Sequence, residues 1–159
     1  SRVSRGLGDV YKRQAIISSP WIKLGLEVPK YLIGIQKVLV NIMPSFRLSN
    51  RININDLTKD NDINFKYSKD QLVHDRISFR LYSEINKQID LVKERANRIK
   101  IKTLLYHGSD DKIISSESVD ILSLLINNNQ KIIFDKAYHE PHNDLEKKEV
   151  FKKIIKFLN

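Results

Sequence analysis

The sequence predicts an α/β domain built on a parallel sheet, and three observations carry that expectation. Short apolar runs alternate with longer segments whose apolar residues recur at helical spacing, the pattern of strands joined by crossover helices. At 159 residues and 41% hydrophobic content, the chain is long and apolar enough for one domain with a sizeable core. Chemistry-bearing residues follow directly on the second and third apolar runs, where open α/β sheets present their ligand sites.

Residues 1–14 stand apart from the rest. They carry Arg2, Arg5, Lys12 and Arg13 with Gly6 and Gly8 and no sustained apolar period. They resemble a peptide that arises when adapter or vector sequence is translated at the end of an environmental gene fragment, and they are read as a non-native leader. Ala15-Ile16-Ile17-Ser18-Ser19-Pro20 then reads as a buried parallel strand stopped by proline. Val28 to Met43 sets Leu32, Ile35, Leu39 and Ile42 at helical spacing, with Pro29 in the first turn and Pro44 ending the segment. Residues 45–68 are rich in Asn and Asp and weakly periodic, an irregular connection with one turn of helix. Ile77 to Ile99 presents Leu81, Ile85, Ile89, Val92 and Ala96 on one face of a long amphipathic helix, with Glu84, Lys87, Lys93 and Glu94 mostly elsewhere.

Lys102 to His107 is the second strand, closed by Gly108. Ser115 is placed to cap the next helix, with Glu117 in its first turn and a stripe of Val119, Leu122, Leu125 and Ile126 that Asn127-Asn128-Asn129 stops. Lys131 to Phe134 is the third strand. Beyond a loop holding Tyr138, His139, Pro141 and His142, a terminal helix from Glu149 to Leu158 is expected to turn Val150, Phe151, Ile154, Ile155 and Leu158 inward.

Composition narrows the function classes. No apolar run approaches the roughly 20 residues of a membrane-spanning helix, since Lys30, Gln36, Lys37 and Asn41 interrupt Val28 to Met43. No secretory signal is read at the N-terminus, and the absence of cysteine excludes disulfides, thiolate metal sites and a cysteine nucleophile. A cytoplasmic location fits. The net charge is +9, of which residues 1–14 supply 3, with four basic groups against Asp9. The remainder is spread over a Lys-, Ile- and Asn-rich chain without an arginine stripe interleaved with aromatics, so a solvated lysine-rich surface is expected and no nucleic-acid partner. His74, His107, His139 and His142 lack the H-x-x-x-H and H-E-x-x-H spacings, and no metal or other cofactor is expected.

The loop after the second strand is His107-Gly108-Ser109-Asp110-Asp111-Lys112, which delivers carboxylates at the sheet edge. The loop after the third is Ala137-Tyr138-His139-Glu140, placed to aim an imidazole back at it. Hydrolytic triads use such a pair: a neutral imidazole takes the proton of a hydroxyl nucleophile while a carboxylate fixes its tautomer and stabilises the imidazolium. Asp111 and His139 are the candidates. Asp110 competes for the acid role and His142 for the base, and a lone Asp at such a place also serves as a turn or helix-start residue. His107, at a strand end, reads as structural, and His74 as exposed. Trp21, Leu24, Leu26, Leu32 and Met43 either line an acyl channel or pack a lid.

Leu104-Leu105-Tyr106-His107-Gly108-Ser109-Asp110-Asp111-Lys112-Ile113 is similar to the acid-loop motif of monoacylglycerol lipases and related lysophospholipases, in the serine aminopeptidase-like group of α/β-hydrolases. The register of Lys112 and Ile113 on that motif selects Asp111 over Asp110. Tyr138-His139-Glu140 resembles the histidine loop of the same family. Ala15 to Pro20 resembles the strand after its nucleophile helix, and Lys69-Asp70-Gln71-Leu72-Val73-His74 the place where the cap rejoins the core. The resemblance covers residues 15–159 and implies the C-terminal part of an α/β-hydrolase: a core strand at 15–20, a mainly helical lid over 21–75 and the rest of the core over 76–159. It implies a small acyl-ester or lipid substrate, with peripheral membrane contact allowed.

The family's G-x-S-x-G nucleophile elbow should precede Ala15 by about one helix, and the sequence does not contain it. Ser4 follows Arg2 where the elbow needs glycine, and no apolar strand leads into it. The oxyanion-hole loop is missing as well. The expectation is a serine-hydrolase fragment holding the acid and base and inactive as it stands. The alternative from another class is a non-catalytic basic α/β module that binds anions or a protein partner.

Overall fold

The computed structural model describes residues 14–26 and 29–159. The expected leader, Ser4 included, lies outside the described residues apart from Gln14, which opens the first strand. In chain order the elements are β1 Gln14–Ser18, α1 Lys30–Ile42, β2 Arg47–Ser49, α2 Asn61–Lys69, β3 Arg76–Ser78, α3 Phe79–Arg95, β4 Lys102–Gly108, α4 Glu117–Leu125, β5 Asn129–Phe134 and α5 Lys147–Leu158.

The strands β1, β4 and β5 form a three-stranded parallel sheet with β4 in the middle. The register runs Gln14 to Lys102 through Ser18 to Tyr106 on one side of β4, and Thr103 to Asn129 through Gly108 to Phe134 on the other. Residues 103–108 of β4 are all buried. A central strand covered on both faces needs an unbroken apolar run, and Thr103-Leu104-Leu105-Tyr106 supplies it. Alternation along the strand sorts the core into two layers. Leu105 packs with Ile89, Ala96, Val119, Leu122 and Ile126, against α3 and α4. Leu104 and Tyr106 pack with Phe134, Ala137, Val150 and Phe157, against α5. The result is an α/β layering with helices on both faces of the sheet.

A small antiparallel ribbon pairs β2 with β3, Arg47 opposite Ser78, and Phe46 stacks on Phe79 with ring centroids 5.5 Å apart. A third apolar cluster joins Leu57 to Ile113 and Ile114, with Trp21, Leu24, Ile54 and Tyr67 around it. It ties the 54–67 segment to the loop that follows β4.

Several elements depart from the sequence expectation. The irregular 45–68 stretch contains β2 and the nine-residue helix α2, which starts because the Asp60 carboxylate accepts the backbone N–H groups of Asp62 and Ile63 at 3.1 and 3.3 Å. In α3, Ser78 caps the first turn through Leu81 N at 3.1 Å, Ile89 is buried with Ala96 just beyond the helix, and Leu81 and Val92 remain exposed. Ile35 and Ile42 of α1 are exposed as well, and the Leu32 side chain is outside the described set. The fourth helix starts at Glu117; Ser116 before it makes no side-chain cap bond, and the Ser115 hydroxyl accepts Glu117 N at 3.4 Å.

The terminal helix turns a different stripe inward. Val150 and Phe157 are buried and Ile154 packs against them, while Phe151, Ile155 and Leu158 are exposed. Two apolar stripes about 100° apart run along this helix, and only the one at 150, 154 and 157 meets the sheet.

Candidate active site

The end of β4 is shaped by a glycine with no room for a side chain: a Cβ on Gly108 would run into the carbonyl groups of Ala137 and Tyr138. That close approach lashes the loop after β4 to the loop after β5. Ser109 N donates to Phe134 O at 2.9 Å, Asp110 N to Ala137 O at 3.0 Å, and Lys136 N to Ser109 Oγ at 2.7 Å.

Within this frame Asp111 turns inward and Asp110 outward. The Asp110 carboxylate is exposed and accepts from Ser109 Oγ at 2.9 Å. The Asp111 side chain is fully buried, and its Oδ1 accepts Ile113 N at 2.8 Å and Ile114 N at 2.9 Å. Its Oδ2 lies 2.8 Å from His139 Nδ1 and 3.0 Å from His107 Nε2. Burial alone would raise the carboxyl pKa, but hydrogen bonds from His107, His139 and the Ile114 N–H outweigh it and hold Asp111 well below the ordinary carboxylate range.

The ring of His139 is 23% exposed, so its contact with the carboxylate leaves it partly accessible. An ionised acceptor at Nδ1 puts the proton there and leaves the Nε2 lone pair free. The backbone around the ring is pinned on both sides. Ser19, buried and in the left-handed region at φ 41°, donates its hydroxyl to the His139 carbonyl at 2.6 Å. Tyr138 N donates to Asp144 Oδ2 at 2.9 Å and Glu140 N to Leu57 O at 2.8 Å.

The other histidines do different work. His142 Nδ1 meets the Tyr106 hydroxyl at 3.2 Å, and His74 is exposed. Trp21 and Leu24 pack into the clusters beside the loop after β4, Leu26 is half-buried and Met43 is exposed. Sequence reasoning missed the contact of His107 with Asp111 and the roles of Ser19 and Asp144. The i, i+4 spacing of His107 and Asp111 across a glycine turn was a usable signal for the first of these.

Among the described residues, no group of three or more His, Asp or Glu side chains is arranged to hold a metal ion, and no helix is long and apolar enough to cross a membrane. Lys23, Lys59, Lys112, Lys131 and Lys147 each lie within 4 Å of a carboxylate, which offsets part of the positive charge. A hollow lined by Pro44, Arg47, Ser78, Arg80, Leu81 and Glu84 contains neither Asp111 nor His139.

Comparison with known proteins gives concordant matches. The family model described as Hydrolase_4, serine aminopeptidase, S33, matches residues 8–146. Phospholipase YtpA of Bacillus subtilis is 29% identical over 141 residues, covering 86% of this chain and 54% of its own length. An uncharacterized abhydrolase domain-containing protein of Dictyostelium discoideum is 27% identical over 154 residues, which are 16% of its length. Among solved structures, the monoacylglycerol lipase of Paleococcus ferrophilus superposes with a TM-score of 0.81 at 30% identity, covering 97% of this chain and 60% of its own. A soluble variant of Saccharomyces cerevisiae monoglyceride lipase, at 18% identity and TM-score 0.73, shares the fold. The chain thus spans little more than half the length of the phospholipase and the Paleococcus lipase.

Proposed function

We propose, because this chain belongs to the serine aminopeptidase S33 family of hydrolases, that it carries the acid and the base of a serine hydrolase acting on carboxylic esters of the monoacylglycerol or lysophospholipid kind. One observation carries the acid–base assignment: the 2.8 Å contact between Asp111 Oδ2 and His139 Nδ1, formed by loops that follow adjacent parallel strands. The choice of substrate class draws support from the lipase and phospholipase relatives.

In this reading Asp111 stays ionised and holds the Nδ1–H tautomer of His139. The free Nε2 takes the proton of a serine hydroxyl as its oxygen bonds to the ester carbonyl carbon. The alcohol then leaves with that proton, and a water deprotonated by the same nitrogen releases the acid from the acyl-enzyme. The 159 residues contain no G-x-S-x-G, so this reading has the serine and its oxyanion hole supplied by further sequence, and it expects no turnover from the 159 residues by themselves. Residues 21–75 serve as the cap over the acyl pocket, a role supported by the packing of Trp21, Leu24, Ile54 and Tyr67 beside Ile113 and Ile114.

The test is an extended reading frame. The protein expressed with its upstream coding sequence should hydrolyse a 1-monoacylglycerol or a lysophosphatidylcholine, and Asp111→Asn and His139→Gln should each lower kcat by about 10³-fold or more. Undiminished turnover in either variant would remove that residue from the reaction, and an extended protein without ester hydrolysis would sink the proposal.

A further inference from the structure

The clue is a buried histidine with half of its hydrogen-bonding capacity unused. His107 is completely buried, and among the described residues its Nδ1 has no hydrogen-bond partner. Leaving a buried ring nitrogen unsatisfied costs free energy that an apolar side chain of the same size would avoid. The opposite nitrogen shows what is obtained in return. His107 Nε2 lies 3.1 Å from the Ile114 carbonyl oxygen and 3.0 Å from Asp111 Oδ2. Both neighbours are acceptors, the carboxylate being ionised. A bare lone pair facing two oxygens would repel both, so in the neutral ring the proton sits on Nε2, bonded to the Ile114 carbonyl with Asp111 Oδ2 beside it.

We propose that His107 is the positioning residue of the acid: its Nε2–H, lodged between Asp111 Oδ2 and the Ile114 carbonyl, clamps the carboxylate in the orientation that meets His139. The inference rests on the reading of Asp111 and His139 as acid and base. It deepens that reading by giving the second imidazole a separate job.

The geometry is that of a carboxylate held at both oxygens. Oδ1 is fixed by the N–H groups of Ile113 and Ile114. Without His107, Oδ2 would be held by His139 alone, and each disengagement of that ring during a proton transfer would free the carboxylate to turn about its Cβ–Cγ bond. With His107 in place, Oδ2 keeps a donor throughout. The clamp also spans the loop, because the Ile114 residue that accepts the Nε2–H at its carbonyl donates its own N–H to Oδ1. The two rings differ in access: His107 is sealed, while His139 is partly open. One carboxylate therefore serves two imidazoles, of which only one faces solvent.

A purely structural role, in which His107 anchors the Ile114 carbonyl and nothing else, makes a different prediction for Asp111. Among the described residues, the titratable side chains in contact with Asp111 are His107 from β4 and His139 from the loop after β5, whereas Asp110 turns to Ser109 and Lys112 to Asp56. The discriminating experiment is an NMR titration of the Asp111 carboxyl carbon in the 159-residue chain. Wild type is compared with His107→Gln, whose amide can replace the Nε2–H, and His107→Phe, which fills the slot without a donor. The clamp predicts that His107→Phe displaces Asp111 protonation upward by about one pH unit, that His107→Gln keeps it near the wild-type position, and that the ¹⁵N shifts of His107 show the proton on Nε2. Should His107→Phe not fold, His107→Met, a flexible chain without a donor, takes its place. An Asp111 midpoint unmoved in the donorless variant, or a wild-type His107 protonated on Nδ1, would overturn the inference. The titration needs neither nucleophile nor substrate, so its failure and the failure of the ester-hydrolysis assay are separate results.

Discussion

The carboxylate of Asp144 accepts the backbone N–H of Tyr138 at 2.9 Å, so a fully buried acid fastens the residue next to His139. The same carboxylate also accepts Lys59 N at 3.0 Å and Leu145 N at 2.8 Å, with the Thr58 hydroxyl at 3.4 Å. It is the point at which the 57–59 segment, the loop after β5 and the start of the last helix come together.

Asp144→Ala strands these donors in the interior and should destabilise the chain by about 2–4 kcal/mol. Asp144→Asn, which keeps one acceptor oxygen, should cost roughly half as much. Urea unfolding followed by far-ultraviolet circular dichroism measures both, and an unchanged midpoint in Asp144→Ala would remove the hub from the account.

Gly108→Ala pushes a methyl group into the Ala137 and Tyr138 carbonyls. Backbone atoms cannot step aside as a flexible side chain can. The expected outcome is a loss of about 1–3 kcal/mol together with separation of the two loops. A melting temperature within a degree of wild type would show that the loops tolerate the methyl.

Asp111 makes stability depend on pH with a definite sign. Its folded pKa lies below the ordinary value of 3.8, so in mild acid the unfolded chain binds more protons than the folded one. Its contribution is present in full above the unfolded pKa and drains away as the pH falls toward the folded one. Urea midpoints taken from about pH 6 down to about pH 3 should fall more steeply for wild type than for Asp111→Asn. Parallel slopes would mean that Asp111 gains nothing from its donors.

The inward stripe of the last helix is open to a simple comparison. Phe157→Ala should cost about 3–5 kcal/mol, as expected of a buried aromatic, whereas Ile155→Gln, on the exposed stripe, should stay within about 0.5 kcal/mol. Thermal melts of the two variants decide it, and equal losses would mean that both stripes are covered.

What could be read in the sequence follows the physics of each element. The central strand was legible because Thr103-Leu104-Leu105-Tyr106 is buried on both faces and therefore apolar without alternation. The three-residue strands β2 and β3 were not, since they are too short to show a period of two and pair across 31 residues, Arg47 with Ser78. The Asp60 cap was lost in a run where Asn and Asp are common enough to signal only a loop. The last helix offered two apolar stripes, and nothing local to it says which one the sheet covers. Asp111 and His139 stood out by their places after successive strands, but the sequence alone could not separate Asp111 from Asp110 without a resemblance to lean on. Their opposite burial comes from the Gly108 turn and the lashings to the Phe134 and Ala137 carbonyls. The His107 contact crosses that same turn, so its geometry emerges only when the loop is folded.

The hydrogen bonds that Glu140 N donates to Leu57 O and Lys59 N donates to the Asp144 carboxylate have a mechanical consequence. They rivet the chain around His139, directly at Glu140 and through the Asp144 carboxylate at Tyr138, to a segment more than 80 positions earlier. Leu57–Lys59 cannot be displaced by more than a hydrogen-bond length without breaking these rivets or dragging the imidazole along. Thr58, buried between them with its hydroxyl on the Asn143 carbonyl at 3.0 Å, leaves no slack. Position at the ring and position at residue 58 are one coordinate, and a probe attached to either reports on both.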